Sequence, residues 1–482
     1  MRVYFVNPPA DGGIKQVREG RCMQRSGAWT ALWTPVSLAY CAALARREGF
    51  DVRLTDCIAE EIDMDGLVRM VREYRPDLVI LNAITASIKN DLSTADVIKS
   101  SVDERIRVGV IGIHGTALPE TCFELSPGLD FVIRGEPEMT VYELALYLKD
   151  GSGVEKVDGI SYRQEKSSPS MGEARVRVIH NKDRAWISDL DTLPYPAYDL
   201  IDRSRYTLPF TGKPFLLVTT SRGCHNSCNF CTDHTYYGKK IRTRDPERVA
   251  DELAFYKENF GVEDFLFWAE GFTMNRPYAK EVARAIARRH LGVRWVCNGR
   301  VDDVDEDMIR IFKDAGCTMI GYGIESGVQE MLDRMNKKTT VEQIRRAVAL
   351  AQKAGIEVVA HVILGYPGET EATAQRTIDF IKELKVDFAQ FYCAVPFPGS
   401  HLYDESKRKG WLDSSDWRHF EQNYCVLNTP YLKAEEVVRL RKKAFREFYL
   451  SPRVILRTMR RLTSPAKAIR FLSMLKEFRE WV

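Results

Sequence analysis

The 482-residue sequence predicts an α/β protein: a doubly wound Rossmann-like domain, an open (β/α)6 partial TIM barrel and a helical carboxyl-terminal segment. Two series of short apolar runs alternate with amphipathic helical patterns, one before and one after a Pro-containing linker. Unbroken apolar strands separated by helices indicate parallel sheets covered on both faces. We expect four divisions, at residues 1–150, 151–212, 213–430 and 431–482.

The first series predicts five strands, at residues 3–6, 51–56, 77–83, 107–113 and 131–135, with helices such as 36–47 and 64–74 between them. This order predicts a Rossmann-like domain whose ligand lies beyond the carboxyl ends of the strands. Residues 151–212 differ, because DGISYRQ and ARVRVIH predict a hairpin and DLDTLPYPAYDLID predicts a linker.

The second series begins at Phe215 and predicts six strands, FLLVTTS, DFLFWAE, VRWVCNG, TMIGYGIE, EVVAHVILG and DFAQFYCAV. Six βα units predict an open barrel rather than the closed eight-fold barrel. Sites in such barrels lie at the carboxyl ends of the strands. The motifs that carry chemistry in this sequence all fall at those ends.

Charge and composition limit the classes of function. The net charge of +3 is small for this length and does not indicate a nucleic-acid partner. No stretch reaches the roughly 18 apolar residues of a membrane span, and the start MRVYFVNPPA predicts a strand rather than a signal peptide. We therefore expect a cytoplasmic protein. Its 11 cysteines, three of them within eight residues, favour metal binding over disulfides.

The three clustered cysteines are Cys224, Cys228 and Cys231, spaced C-x3-C-x2-C just after the first barrel strand. Three thiolates leave one iron of a [4Fe–4S] cube without a protein ligand. S-adenosylmethionine (SAM) can bind that iron, and one electron from the cluster then gives a 5′-deoxyadenosyl radical. A zinc site is the alternative, but it normally needs a fourth ligand. His225 is available only inside the loop. Unligated thiols are a further alternative.

This spacing, with an aromatic residue before the last cysteine, resembles the radical SAM family. The resemblance implies that Phe230 packs against the adenine of SAM. It also implies that the barrel strand ends bind SAM, with Ala269-Glu270 departing from the paired aspartates of many relatives. The remaining SAM contacts that the resemblance implies are Glu270, Asn298, Arg300, Glu325, Ser326 and Gly365. Structural alternatives stay open: Glu270 as a solvated acid, Glu325 as a helix cap, and Gly365 as part of a tight turn.

The domain before the barrel resembles that of the cobalamin-binding subgroup, called class B. The matching stretches are NPP after strand one, GIHGTALPE after strand four and RGEPE after strand five. The implied cobalamin-binding residues are Asn7, Thr85, Ser87, Gly112, His114, Gly115 and Glu136. The sequence has no D-x-H-x-x-G motif, so we expect cobalamin without a histidine below the cobalt. The alternative is a domain that has lost the cofactor.

The other cysteines show no ligand-like spacing and are expected to be small buried residues, with Cys22 or Cys425 as an alternative catalytic thiol.

The segment from residue 431 carries 14 Lys and Arg against five Glu, a local charge of +9. Apolar residues recur at helical spacing within residues 439–482. This pattern predicts either peripheral binding to the inner face of a membrane or a solvated helix pair packed on the barrel.

Three functions follow from these features. The first is methyl transfer to an unactivated carbon, in which one SAM methylates cobalamin and a second supplies the radical. The second is radical C–C or C–O bond formation on an isoprenoid or hopanoid lipid, since barrel stretches such as GYGIESG resemble those of hopanoid cyclitol-ether and calditol-ether synthases. The third is a sensor with a vestigial cluster, which the intact cysteine loop argues against. An enzyme of either kind needs a reductant such as flavodoxin or ferredoxin.

Overall fold

The computed structural model describes residues 1–20, 31–164, 177–209, 211–412, 416–461, 469 and 471. Cys22 and most of the basic segment after residue 461 lie outside these residues. Within the described ranges, none of the helices has the length and apolar character needed to cross a bilayer.

The amino-terminal part alternates strands and helices as predicted. Its elements are β1 Arg2–Asn7, α1 Val36–Arg47, β2 Asp51–Asp56, α2 Met64–Tyr74, β3 Leu78–Asn82, α3 Ile88–Ser101, β4 Arg107–Ile111, α4 Ile113–Ala117, α5 Pro119–Leu125, β5 Phe131–Ile133, α6 Pro137–Asp150, β6 Ile160–Gln164 and β7 Arg177–His180.

These strands form one sheet in the order β2-β1-β3-β4-β5-β6-β7. The first five are parallel, and the β6–β7 hairpin extends the sheet in antiparallel fashion. The hairpin predicted within residues 151–212 therefore belongs to the first sheet. The order reverses between β1 and β3, and in doubly wound sheets ligands bind at the carboxyl end of such a switch point.

The barrel follows with six parallel βα units. Its elements are β8 Phe215–Thr219, β9 Ser221–Arg222, α7 Asp233–Tyr236, β10 Arg242–Thr243, α8 Pro246–Phe260, β11 Asp264–Trp268, α9 Arg276–Arg288, β12 Arg294–Gly299, α10 Glu306–Asp314, β13 Cys317–Glu325, α11 Gln329–Arg334, α12 Val341–Lys353, β14 Glu357–Leu364, α13 Glu371–Leu384, β15 Phe388–Cys393 and α14 His401–Lys409.

The barrel sheet has the order β8-β11-β12-β13-β14-β15, which confirms the open six-stranded prediction. Helix boundaries follow local chemistry. The Asp245 side chain accepts hydrogen bonds from the backbone N–H groups of Glu247 and Arg248 at the start of α8, and Gly261, with φ +66°, ends that helix. An acidic N-cap and a left-handed glycine satisfy backbone groups that the helix ends leave unpaired.

The two sheets share one apolar core. Helix α1 is buried from Val36 to Ala45 because the linker and the barrel cover the side that faces away from the first sheet. Tyr198 in the linker donates a hydrogen bond from its hydroxyl to the carbonyl oxygen of Leu217 in β8, at 2.9 Å. Each large apolar side chain buried here contributes roughly 1.5–3 kcal/mol, so the shared core stabilises the contact between the amino-terminal sheet and the barrel.

The described tail consists of helices α15, Ala434–Tyr449, and α16, Pro452–Arg461. Helix α15 covers the edge strand β15, where the Arg441 Nε donates to the carbonyl oxygen of Phe391 at 3.0 Å and the Tyr449 hydroxyl donates to that of Ala389 at 2.9 Å. An edge strand with unpaired backbone groups invites association with other chains. Helix α15 therefore protects the open side of the barrel.

Candidate active site between the two sheets

The predicted cluster loop lies between two short antiparallel strands, β9 and β10, which join its ends. Gly223 precedes the first cysteine with φ +94°, and a Cβ there would lie 2.2 Å from the carbonyl oxygen of Lys240. Only glycine allows this approach. Cys224, Cys228 and Cys231 all line one cavity of about 260 Å³ at the carboxyl ends of the barrel strands.

The spacing of the thiols bears on the metal. In the described part of the chain, no three His, Cys, Asp or Glu side chains converge closely enough to hold a single metal ion. Zinc needs its ligands about 2.0–2.3 Å from one centre, so they must converge. A [4Fe–4S] cube bonds each thiolate to a different iron, so its ligands stand farther apart. The identity of the metal at this loop therefore stays a prediction from the cysteine spacing.

Two cationic side chains lie beside the cluster loop. The Arg300 Nη1 is 4.0 Å from the Cys228 Sγ, and its Nη2 donates to the carbonyl oxygen of Lys337 at 2.9 Å. The Lys337 Nζ contacts the Glu325 Oε1 at 2.7 Å, and both side chains are buried. Burial opposes the charge on Lys337, but the Glu325 carboxylate and the nearby Cys228 raise its pKa above the ordinary value. Arg300 and Lys337 therefore place positive charge beside the cysteine loop.

Glu325 occupies an unusual backbone position. Its φ is +63°, and the pairing of β13 with β14 shifts register between Gly323 and Glu325. A side chain at Gly323 would collide with the Glu325 Oε1 and the Lys337 Nζ, at 2.6 and 2.8 Å. Left-handed backbone at a non-glycine residue costs energy and is typical of functional sites. The strand end is shaped to present this ion pair to the cavity.

Glu270 connects the end of β11 to the cluster loop. Its Oε2 accepts a hydrogen bond from the backbone N–H of Gly223 at 2.9 Å, and the side chain lines the cavity. Phe230 also lines the cavity, with the Lys337 Nζ 5.9 Å from its ring centroid. Asn298 and Arg300 line it from the end of β12. Five of the seven SAM-binding residues implied by the sequence therefore meet in one cavity.

Ser326 and Gly365 do not line this cavity. The Ser326 hydroxyl pairs with that of Thr377 at 3.0 Å and accepts from the backbone N–H of Val328, so it shapes the turn into α11. Gly365 has φ +80°, and a Cβ there would lie 2.5 Å from Val437 in α15. Its small size allows the tail helix to pack, which matches the structural alternative for this turn.

A second cavity lies at the carboxyl ends of β3 and β4, adjacent to the first. The two share four lining residues, Gly20, Asp233, Trp268 and Glu270. Gly112 lines the second cavity with φ +127°, and a Cβ there would lie 2.1 Å from the carbonyl oxygen of Ala83. The buried Trp268 Nε1 has no hydrogen-bond partner. The second cavity measures only about 40 Å³, much less than a corrin ring occupies, so its backbone floor at Gly112 and the unpaired Trp268 donor could contact one edge of cobalamin but could not enclose it.

Of the predicted cobalamin-binding residues, Gly112 lines the second cavity, whereas Asn7, Thr85, Ser87 and His114 are buried and line neither cavity. The Asn7 Oδ1 has no partner, and Ser87 donates to the Asp91 carboxylate at 2.6 Å. His114 and Thr85 pair at 3.3 Å between Nδ1 and Oγ1, and the His114 Nε2 has no partner. Burial lowers the pKa of His114 to about 4. Among the described residues that line the second cavity there is no histidine.

Two predicted residues have packing or bridging contacts instead. Gly115 lies against Val132, whose Cγ1 would be 2.9 Å from an added Cβ, so it allows α4 to pack on β5. Glu136 pairs with Arg222 at 3.1 Å and with Arg242 at 2.8 Å, and all three are buried. Glu136 therefore links the amino-terminal domain to both strands that hold the cluster loop. It does not line either cavity.

The sequence analysis missed several residues that line the site. Lys337 lies in an ordinary polar turn, RMNKKTT, where nothing distinguishes it from a solvated lysine. Trp268 was recognised only as a strand residue, although it lines both cavities. His361, Tyr392 and Gln422 also line the first cavity. Alternate residues of a strand face the same side, so the positions of β14 and β15 that face the barrel interior could have identified His361 and Tyr392.

The comparisons with known proteins agree with this geometry. Residues 218–381 match the profile of the Radical SAM superfamily, and residues 29–145 match that of the B12 binding domain. An uncharacterised methyltransferase of Pyrococcus horikoshii is 31% identical over 457 residues, covering 95% of this chain and 94% of that protein. The anaerobic magnesium-protoporphyrin IX monomethyl ester cyclase of Rubrivivax gelatinosus is 28% identical, covering 84% and 70%. The hopanoid C-3 methylase of Methylococcus capsulatus is 24% identical, covering 82% and 72%.

Among solved structures, the cobalamin-dependent SAM radical enzyme OxsB, with aqua-cobalamin and SAM bound, is similar with a TM-score of 0.72. It is 17% identical, and the match covers 99% of this chain and 71% of OxsB. This likeness concerns the fold. Together with the sequence matches, it shows that the chain belongs to the cobalamin-binding radical SAM superfamily, enzymes whose cofactors are a [4Fe–4S] cluster, SAM and cobalamin.

Proposed function

We propose that this enzyme transfers a methyl group from SAM, by way of cobalamin, to an unactivated carbon of its substrate. The observation that supports this proposal is the adjacency of the two cavities, which have Gly20, Asp233, Trp268 and Glu270 as common lining residues. A cluster held by the cysteine loop and cobalamin held by the first sheet would then lie near one another, so both could act on one substrate. The cluster supplies the electron that cleaves SAM, and cobalamin carries the methyl group.

Residues of the chain position these groups and exclude water. The cluster is held by Cys224, Cys228 and Cys231. Arg300 and the Lys337–Glu325 ion pair lie beside the cysteine loop. Glu270 fixes the loop through Gly223. The aromatic rings of Trp33 and Trp268, with centroids 5.3 Å apart, cover the junction of the two cavities. Shielding of this kind protects a reactive radical from solvent. An external reductant such as flavodoxin or ferredoxin must supply the electron.

The name of the Rubrivivax relative supports a second candidate, radical bond formation without methyl transfer. The two are separated by the products of SAM. Purified protein is incubated anaerobically with reductant, SAM and candidate substrates, and S-adenosylhomocysteine is counted against 5′-deoxyadenosine. Methyl transfer yields both products, whereas cyclisation or ether formation yields 5′-deoxyadenosine alone. A turnover that consumes substrate and gives only 5′-deoxyadenosine rejects the methyltransferase.

A lipid substrate at a membrane surface is supported by the outer face of α16. Ile455, Leu456 and Met459 are exposed there, beside Arg460. The opposite face packs on the barrel, where Arg457 pairs with Asp387 at 3.2 Å and Val454 is buried. Helices with apolar and basic residues on one exposed face bind anionic lipid surfaces. We therefore propose peripheral membrane association through this helix.

A further inference from the structure

The middle of the barrel interior carries a polar surface that the proposed reaction does not use. His361 in β14 and Tyr392 in β15 stack with ring centroids 5.9 Å apart, and the His361 Nδ1 lies 3.1 Å from the Tyr392 hydroxyl. Gln422 lines the same cavity, with its backbone oxygen accepting from the N–H of Cys393 at 2.9 Å. We refer to His361, Tyr392 and Gln422 as the polar shelf.

The barrel is shaped to leave space at this level. Gly321 lies between Asn298 and His361, and a Cβ there would be 2.5 Å from the Asn298 Oδ1 and 2.8 Å from the His361 Nε2. The absent side chain at Gly321 lets these two polar groups approach one another across β13. Any larger residue would fill the floor of the cavity, so the sequence keeps polar groups and open space at the same height.

An unpaired acceptor points to a ligand. Gln422 is 6% exposed, and its side-chain Oε1 is buried without any hydrogen-bond partner. Leaving a buried acceptor unpaired is unfavourable, and a donor that arrives with a ligand removes this cost. The same cavity is also lined by apolar side chains, among them Leu266, Ile363, Val395 and Phe397. Pockets of this composition bind molecules with an apolar body and a few polar groups.

We propose that the polar shelf recognises a hydroxyl group on an otherwise apolar substrate. The substrate hydroxyl donates a hydrogen bond to the side-chain Oε1 of Gln422. The same hydroxyl accepts a hydrogen bond from the Tyr392–His361 pair. This inference rests on the proposed function for the identity of the reaction, and it names the class of substrate for the same cavity. An alcohol is thus selected over the hydrocarbon of equal shape.

The test uses two probes, cyclohexanol and methylcyclohexane, with cobalamin-loaded, cluster-containing protein. Ligand-observed NMR gives the dissociation constant of each for the wild type, Tyr392→Phe, Gln422→Leu and a matched control, Tyr147→Phe. Tyr147 lies on α6, away from the cavity. The wild type and the control should favour the alcohol by about tenfold. Each shelf variant should lose most of that preference while retaining its affinity for methylcyclohexane.

Equal binding of the two probes to the wild type would overturn the inference, whether or not the variants fold. So would an unchanged preference in both shelf variants. Displacement of cyclohexanol by S-adenosylhomocysteine would assign the shelf to SAM and reject it as a substrate site. Substrate-free formation of S-adenosylhomocysteine, measured on the same samples, reports on the proposed function separately. The shelf can therefore fail while the methyltransferase stands, and the reverse outcome is equally visible.

Discussion

Arg222 and Glu138 form a buried ion pair across the two domains, with Nη2 and Oε1 2.5 Å apart and side-chain exposures of 3% and 1%. Arg222 directly precedes Gly223 and the cluster loop, whereas Glu138 begins α6 of the cobalamin-binding domain. The Glu136 and Glu138 carboxylates hold the pKa of Arg222 well above its usual range despite the opposing effect of burial. The pair therefore connects the cysteine loop to the domain that matches the B12-binding profile.

Removing the charge of Arg222 should destabilise the protein strongly. The Arg222→Met variant leaves Glu138 buried without its partner, which costs about 3–5 kcal/mol in such pairs. Urea unfolding measures the change. Arg46→Met is the matched control, because its pair with Asp199 is exposed and should contribute less than about 1 kcal/mol. Equal effects of the two substitutions would show that the interdomain pair has no special structural role.

Each cluster cysteine should be indispensable for iron binding. Cys228→Ala should lose the broad iron–sulfur absorbance and the cleavage of SAM, because two thiolates cannot retain a cube that uses three. Iron is counted after anaerobic reconstitution. Cys425→Ala serves as the control for iron content, since that thiol donates to the carbonyl oxygen of Leu427 and does not line either cavity. An intact four-iron cluster in Cys228→Ala would contradict the assignment.

The stability of the protein should depend on pH through Glu369. Burial raises the pKa of this carboxyl to about 8, although a hydrogen bond from the backbone N–H of Gly365 acts in the opposite direction. The folded state therefore keeps a proton that the unfolded state releases above about pH 4.5, so stability falls as the pH rises from 5 to 8. Glu369→Gln should remove this part of the dependence. Parallel stability profiles of variant and wild type would refute the raised pKa.

The outer face of α16 should matter for membrane binding. Each Lys or Arg near an anionic surface contributes roughly 1 kcal/mol, and the apolar side chains add insertion. Co-sedimentation with phosphatidylglycerol vesicles compares the full chain, a form ending at Leu450, and Leu456→Ser/Met459→Ser. Binding should fall in both altered forms and weaken at high salt. If neither change alters sedimentation, the exposed face of α16 has another role.

The order of strands and helices could be predicted because it depends on local patterning. The predicted limits of α1 and α2 agree with the structure, and the six barrel strands occur in the predicted order. The cysteine loop could be recognised for a similar reason, since three cysteines lie within eight residues, and their role as cluster ligands stays a prediction. Both kinds of feature are written in contiguous sequence, where spacing is informative.

Contacts between distant segments could not be predicted in the same way. Lys337 reaches Glu325 only because β13 is irregular at Gly323, and Gly365 is small because α15 packs over it. Glu136 follows a strand end like its neighbours, yet two arginines more than 80 residues away pair with it. These roles depend on which segments the fold brings together, and residue type alone does not reveal that.

The most direct test of methyl transfer through cobalamin is to count the products that reduced, cobalamin-loaded protein forms from SAM when no substrate is present. Titanium(III) citrate is the reductant, and protein reconstituted without cobalamin is the control. Because cobalamin is the acceptor of the first methyl group, we expect about one equivalent of S-adenosylhomocysteine per bound cobalamin and none above background in the control. Formation of 5′-deoxyadenosine with no more S-adenosylhomocysteine than in the cobalamin-free control would contradict the proposed methyl transfer.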